Sequence, residues 1–247
     1  MSIFRSYSVV IGLYKGEKWL YKIIDSCFNQ SIKPKKIIIW NQSNTQNYDL
    51  IENIQLYDDT LQFISCNNYG VYARFSAALL TEADRYLILD DDTIPGSKWV
   101  ENCYETLTQV DPNSILGYRG IRLKPDALYD VEAFEKGTTS ITEVDLCGHA
   151  WFVTRKHILN MFEHKPVNYF NGEDTHLSAI NQIKDGVKTY IPKQLISDPQ
   201  TWGSTMQHLG AQAGRLSTSL GPHTHFKQRE EVNKYWLTCG WKPICKR

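Results

Sequence analysis

Apolar and polar positions along the first half of the chain fall into blocks with two different periods. YSVVIGL (residues 7–13) is a short, β-rich apolar run and reads as a buried strand. Residues 17–30 put Trp19, Leu20, Ile23, Ile24, Cys27 and Phe28 on one helical face. Pro34 interrupts, and KIIIW (36–40) reads as a second buried strand. A polar stretch, NQSNTQNYD, opens a loop and a weak helix to about residue 56; LQFIS (61–65) is a third strand. NNYG (67–70) is a turn, residues 71–82 read as a helix, RYLILD (85–90) as a fourth strand and residues 98–110 as a helix. Short continuous apolar strands alternating with amphipathic helices predict an α/β fold, a central and mainly parallel sheet flanked by helices on both faces.

The second half is less regular. ILGYRGIRL (115–123) reads as an extended pair and residues 128–142 as a polar loop. EVDLCGHAWFVT (143–154) reads as strand, turn and strand, and KHILNMFEH as a short helix. NGEDTHLSAINQIKDG opens on an acidic pair and continues as a helix with Leu177, Ile180 and Ile183 inward; VKTYIP is a last strand. After Trp202 the pattern predicts a long loop and then a helix near residues 228–237. No linker, repeat or composition shift divides the chain, so one domain over 1–247 is expected.

RYLILDDDTIPG raises the chemical question. Three adjacent carboxylates, Asp90, Asp91 and Asp92, follow an apolar strand directly, and like charges at close range cost ~1 kcal/mol per pair in water and ~4 kcal/mol near a protein surface. Either the triplet is a solvated acidic turn or something positive sits there. Ligands of parallel sheets bind outside the carboxyl ends of the strands, which is where the triplet stands. The formal net charge is zero and charged residues make up 22% of the chain, which gives no global field for nucleic acid or an anionic membrane. The six cysteines are scattered with no CxxC or zinc-finger spacing and are expected to be mostly buried free thiols in a reducing compartment. No segment has the pattern of a signal peptide or the ~20 apolar residues of a membrane span. A cytoplasmic location is the expectation.

The layout resembles the GT-A fold of nucleotide-sugar-dependent glycosyltransferases, most closely the large family 2. SVVIGLYKGEKWLYKIIDSCFNQSIKPKKIIIW is similar to that family's opening strand, helix and second strand; NNYGVYARFSAALLTEADRYLILDDDTIPG to the segment leading to its DxD metal motif; GEDTHLSA to its acidic ED motif. Asn41-Gln42-Ser43-Asn44 stands where the family carries Asp-Asp-Gly-Ser, and Gly12-Leu13 replaces the usual Pro-Thr. The resemblance implies that residues 1–110 bind the nucleotide sugar, that 111–225 hold the acceptor and catalytic half, and that 226–247 form a tail.

On that resemblance, a divalent cation (Mn²⁺ or Mg²⁺) would bridge the donor diphosphate. In an extended segment Asp90 and Asp92 project to one side and Asp91 to the other. Asp92 is the expected direct ligand, with Asp90 on the ribose, a metal-bound water or the metal, and Asp91 on the ribose or sugar. A uridine base is expected near Leu13, Tyr14 and Lys15 and near Asn41, Gln42 and Ser43, since an amide offers a donor and an acceptor to a uracil edge. Asn68 in the NNYG turn completes the expected donor site, and Arg74 would either reach the diphosphate or lock the acidic cluster. His149 and Trp151 are expected to border the nucleotide sugar on its acceptor side, and Trp202 either stacks on an acceptor sugar or is a core tryptophan. His223 and His225, at i and i+2, would face one way in an extended segment, and His225 is the candidate third metal ligand. His157, His164 and His208 show no supporting pattern. Asp174 is the expected general base of an inverting transfer to a glycan or other hydroxyl acceptor, assisted by Glu173; the plainer reading of both is helix capping. Two other functions remain open: a sugar nucleotidyltransferase, for which IGLYKGEKWL lacks the glycine-rich phosphate loop, and a non-catalytic saccharide- or nucleotide-binding module, against which the intact acids argue.

Overall fold

The computed structural model describes residues 6–14, 16–43, 59–125, 131–134, 138–205 and 222–247, of which 131–134, 222 and 223 are described by their backbone alone. Lys15, Asn44, His208 and the weak helix expected before residue 56 lie outside the described residues.

Strands β1 (Tyr7–Leu13), β2 (Ile37–Asn41), β3 (Leu61–Ser65) and β4 (Arg85–Asp90) form where the apolar runs predict them. They pair in parallel, β1 with both β2 and β4, and β2 with β3. Every residue of β1 is buried, as a strand covered on both faces must be. The eight-stranded sheet has the order β3-β2-β1-β4-β10-β5-β11-β8. Its second half comes from β5 (Ile115–Leu116), β8 (Thr142–Val144), β10 (Ala150–Val153) and β11 (Thr189–Ile191). There β10 runs antiparallel to β4 and β5, and β11 parallel to β5. A small antiparallel sheet, β7-β6-β9, joins β6 (Arg119–Leu123), β7 (Val131–Phe134) and β9 (Leu146–Gly148). Strand β7 falls where a loop was expected; pairing with β6 supplies the order that its polar sequence does not advertise.

Helices α1 (Glu17–Phe28) and α3 (Trp99–Leu107) cover one face, around Leu20, Ile23, Ile24, Trp99 and Val100. Helices α2 (Ala73–Ala78), α4 (Arg155–Phe162) and α5 (Glu173–Asp185) cover the other, around Phe75, Trp151, Ile158 and Leu177. Helix α2 is shorter than the expected 71–82 because its end tightens: Leu79, Leu80 and Thr81 each donate to the carbonyl three residues back, as in a 3₁₀ turn. Helix α6 (Pro222–Thr238) starts earlier than expected, on a proline at its first turn. It packs Val232 and Trp236 with Ala179 and Ile180 of α5 in a third cluster. Cys27, Cys103 and Cys147 are buried free thiols, and Cys239 is an exposed one. Among the described residues no helix is long and apolar enough to cross a membrane.

Phe152 of β10 joins the two halves of the sheet. It is fully buried, with ring centroids 6.4 Å from Tyr7 and 5.1 Å from Tyr104. Phe152→Ala is expected to cost about 3–5 kcal/mol in chemical denaturation; a loss under 1 kcal/mol would mean that this seam is not a core contact.

Candidate active site

The order β3-β2-β1-β4 reverses between β1 and β4, with Gly12 opposite Asp90 in the register. The carboxyl ends of these strands therefore form the crevice at a topological switch point, and the acidic triplet lies in it. The three carboxylates part company. Asp91 turns to the β1–α1 loop, its Oδ2 accepting from Tyr14 N and Gly16 N, both at 2.8 Å. A Cβ on Gly16 would sit 2.3 Å from the Asp91 carbonyl oxygen, so the close approach requires glycine. Its carboxylate thus anchors the loop through Oδ2.

Asp90 and Asp92 stay together and meet His149, with ligand atoms of the three all within 4.8 Å of one another. His149 Nδ1 lies 3.0 Å from Asp90 Oδ2 and 4.0 Å from Asp92 Oδ1. His149 has φ 68°, a left-handed conformation that costs a non-glycine residue of order 1–3 kcal/mol and gathers at functional sites. It links β9 to β10, so the backbone strain aims its ring at the strand end of β4. His149, expected on the acceptor side, thus takes the place expected of His225 in the metal group.

Arg74, in the first turn of α2, joins the two acidic motifs. Its Nη1 is ion-paired with Asp90 Oδ1, and its Nη2 lies 2.5 Å from Glu173 Oε1. The guanidinium carbon stands 4.9 Å over the Trp151 ring. Trp151 itself is buried and donates its indole N–H to the Cys147 carbonyl at 2.6 Å, so it is the floor under Arg74 and does not face an acceptor. Gly12 leaves the room on the other side, since a Cβ there would sit 2.9 Å from Arg74 Cδ.

Asp174, next to Glu173 at the start of α5, is held by α6. Its Oδ2 lies 2.5 Å from Arg229 Nη1, and its Oδ1 accepts from Thr175 N at 2.7 Å. Arg229 Nε donates to His225 Nε2 at 3.1 Å, and His225 Nδ1 lies 3.3 Å from Asn171 Nδ2. His223 and His225 sit on α6, not on an extended segment; residues two apart on a helix point to different faces. His225 therefore supports Arg229 and, among the described residues, does not join the metal group. Arg229 escaped the sequence reading because its partner lies 55 positions away; only the i, i+4 spacing of His225 and Arg229 pointed to a shared face.

The amides expected at a uracil edge are turned inward. Gln42 Nε2 donates to the Gly70 carbonyl at 3.2 Å and its Oε1 accepts from Tyr69 N at 3.0 Å. Asn41 Oδ1 accepts from Ser43 N at 3.0 Å, and its Nδ2 donates to Ser65 Oγ. Asn68 Oδ1 accepts from Gly70 N at 2.9 Å. Gln42 and Asn68 hold the turn that delivers Arg74, and Leu13 is wholly buried. Trp202 is a core tryptophan, 4% exposed, donating to the Leu195 carbonyl at 2.7 Å.

Charge in this crevice is unbalanced. Among the described residues, Asp90, Asp92, Glu173 and Asp174 face Arg74 and Arg229, and Asp91 and Arg119 add one of each sign nearby, so these carboxylates exceed these guanidiniums by two. Burial pushes the Asp90 carboxyl up, but Arg74 and then His149 overcome it and hold it below the usual range. Burial, and after it the Asp90 charge, push Asp92 up to about 6. Burial, then Asp174, raise Glu173 against the pull of Arg74. Burial, then Arg229, lower His225 to about 4. Two carboxylates with one imidazole form a donor set that fits a hard or borderline divalent cation.

Residues 8–165, more than half of the chain, match the family described as glycosyl transferase family 2. The chain belongs to that family. No curated protein sequence matches the chain. Among solved structures it is similar to S. aureus TarS 1–349 in complex with UDP, at 14% identity and TM-score 0.56, over 77% of this chain and 58% of that one. The same TarS fragment with UDP-GlcNAc aligns at 13% identity and TM-score 0.55, over 79% and 60%. These likenesses show a shared GT-A fold, and the chain spans under two thirds of the TarS fragment.

The raised Asp92 sets a pH-dependent test. A carboxyl whose folded pKa is above its unfolded 3.8 weakens the fold once it ionises, so the cost is present above pH 6 and fades as pH falls toward 4. In chelator, Asp92→Asn is therefore expected to stabilise the protein by on the order of 1–2 kcal/mol at pH 7.5 and by almost nothing at pH 4. Equal effects at both pH values in denaturant melts would contradict the assignment.

Proposed function

We propose that the protein is a metal-dependent glycosyltransferase that moves a sugar from a UDP-sugar to a glycan or other hydroxyl acceptor, with inversion at the anomeric carbon. The observation that carries this reading is the Asp90–Asp92–His149 group at the switch point, joined through Arg74 to Glu173 and its neighbour Asp174. Residues 1–110 would take the donor and the following half the acceptor. The uridine assignment is supported by the fold shared with a protein solved with UDP and UDP-GlcNAc. The base would lie against the Leu13–Tyr14–Lys15 and Asn41–Ser43 segments, reading chiefly their backbone, since the Asn41 and Gln42 amides are turned inward.

Asp92, Asp90 and His149 would hold Mn²⁺ or Mg²⁺, which when bound supplies Lewis-acid stabilisation of the diphosphate's departing charge. Arg74 keeps Asp90 ionised and directed toward that group. Asp174 receives the acceptor hydroxyl's proton. The acceptor oxygen then forms its bond to the anomeric carbon from the face opposite the diphosphate, and UDP leaves with the electron pair of the broken C–O bond. Arg229 is a positioning residue: it fixes one oxygen of Asp174 while Thr175 N fixes the other, so the carboxylate has one orientation before the acceptor arrives.

Asp174→Asn keeps the side chain's shape and is expected to leave UDP affinity nearly intact while lowering kcat by on the order of 10² or more. Near wild-type turnover, or a product whose anomeric configuration by NMR equals the donor's, would overturn the assignment of Asp174.

A further inference from the structure

Behind the Arg74 wall lies a second concavity, a cavity of about 470 Å³ lined by Trp40, Tyr69, Tyr72, Phe162, Lys165 and Tyr169 among others. Its rings are unusually open for their size: Tyr69 is 58% exposed, Tyr169 47% and Phe162 41%. Both walls run straight into the acidic site. Tyr72 precedes Arg74 by two residues, and Tyr169 precedes the Asn171-Gly172 turn that leads to Glu173. The walls are fastened to each other, with Val71 N donating to the Tyr169 carbonyl at 3.0 Å and the Tyr72 and Tyr169 rings edge to face at 6.5 Å. The Trp40 indole N–H and the Tyr72 hydroxyl are buried with no hydrogen-bond partner among the described residues. Both atoms are shielded from solvent, so the polar groups a ligand meets here belong to the exposed side chains of Tyr69, Tyr169 and Lys165.

We propose that this cavity binds a pyranose oligosaccharide at a distance from the reacting carbon. Aromatic faces attract the polarised C–H groups of a sugar ring, while the exposed phenol and ammonium groups take its hydroxyls. A lipid chain or an apolar helix would offer those groups no hydrogen-bond partner. The volume lies within the range of small-ligand pockets. That the saccharide is the acceptor or a growing glycan rests on the proposed transferase function; that the cavity binds saccharide does not.

The test titrates the full chain with cellotetraose, chitotetraose and maltotetraose, read by saturation-transfer NMR and tryptophan fluorescence. The wild type is expected to bind at least one of them. Tyr69→Ala with Tyr169→Ala is expected to weaken that binding about tenfold or more, while Tyr69→Phe, which keeps the ring, retains most of it. Both side chains are exposed, so the double variant should melt with the wild type and bind UDP with Mn²⁺ equally well. No binding to the wild type, or unchanged binding in the double variant, overturns the proposal. Concentration-dependent dimerisation lost in the double variant, without saccharide binding, assigns the cavity to a second copy and also overturns it. Saccharide binding in a protein that does not bind UDP supports the cavity assignment and removes the proposed donor.

Discussion

The buried guanidinium of Arg74 is the contact on which the rest of the site depends. It meets Asp90 at the end of β4 with one nitrogen and Glu173 at the start of α5 with another, 99 positions further along from itself. Two acidic motifs from opposite halves of the chain are thereby held in one crevice. Burial alone would lower a guanidinium's proton affinity, but Asp90, Glu173 and Asp91 together raise it, so the cation is secure. Removing one partner of such a buried group costs about 3–5 kcal/mol because the remaining charge is stranded. Several local choices serve this one side chain. Gly12 gives it room, Trp151 lies under it, and Gln42 and Asn68 shape the turn from which it projects.

Among the described residues, the same neighbourhood holds more carboxylates than guanidiniums. Arg74 and Arg229 each answer a carboxylate, yet Asp92 answers none of them directly and is pushed up to about 6 by burial and by Asp90. The strained backbone at His149 brings an imidazole, not a guanidinium, to this spot. A guanidinium offers no lone pair to a cation, whereas an imidazole nitrogen can act as a ligand. Stability is given up at this strained, acidic spot, a pattern common to functional sites.

Much of this was legible in the sequence because its signal is local. β1, β2 and β4 are uninterrupted apolar runs and α1 keeps a 3.6-residue period, so each could be read without its neighbours. The acidic triplet and the GED stretch stood out because like charges need a reason. Other features depended on partners distant in sequence. Strand β7 exists through its pairing with β6. Asp91 reads like its two neighbours until the loop at Tyr14 and Gly16 claims it. The Asn41 and Gln42 amides looked free to read a base, but the turn at residues 68–70 engages Gln42, and Ser43 and Ser65 engage Asn41. His225 was misread because two histidines two apart suggest a common face only if the chain is extended, and here it is helical. Arg229 lies in a polar helix and becomes visible only when α6 packs on α5.

The central claim is that the crevice takes a cation and a nucleoside diphosphate as one unit. Calorimetric titration of UDP into the wild-type protein, with Mn²⁺ and then with chelator in its place, tests it most directly. The account predicts clear binding with Mn²⁺, a loss of about two orders of magnitude or more in chelator, and the same loss for Asp92→Asn with Mn²⁺ present. UDP binding of equal strength with and without the cation would contradict it.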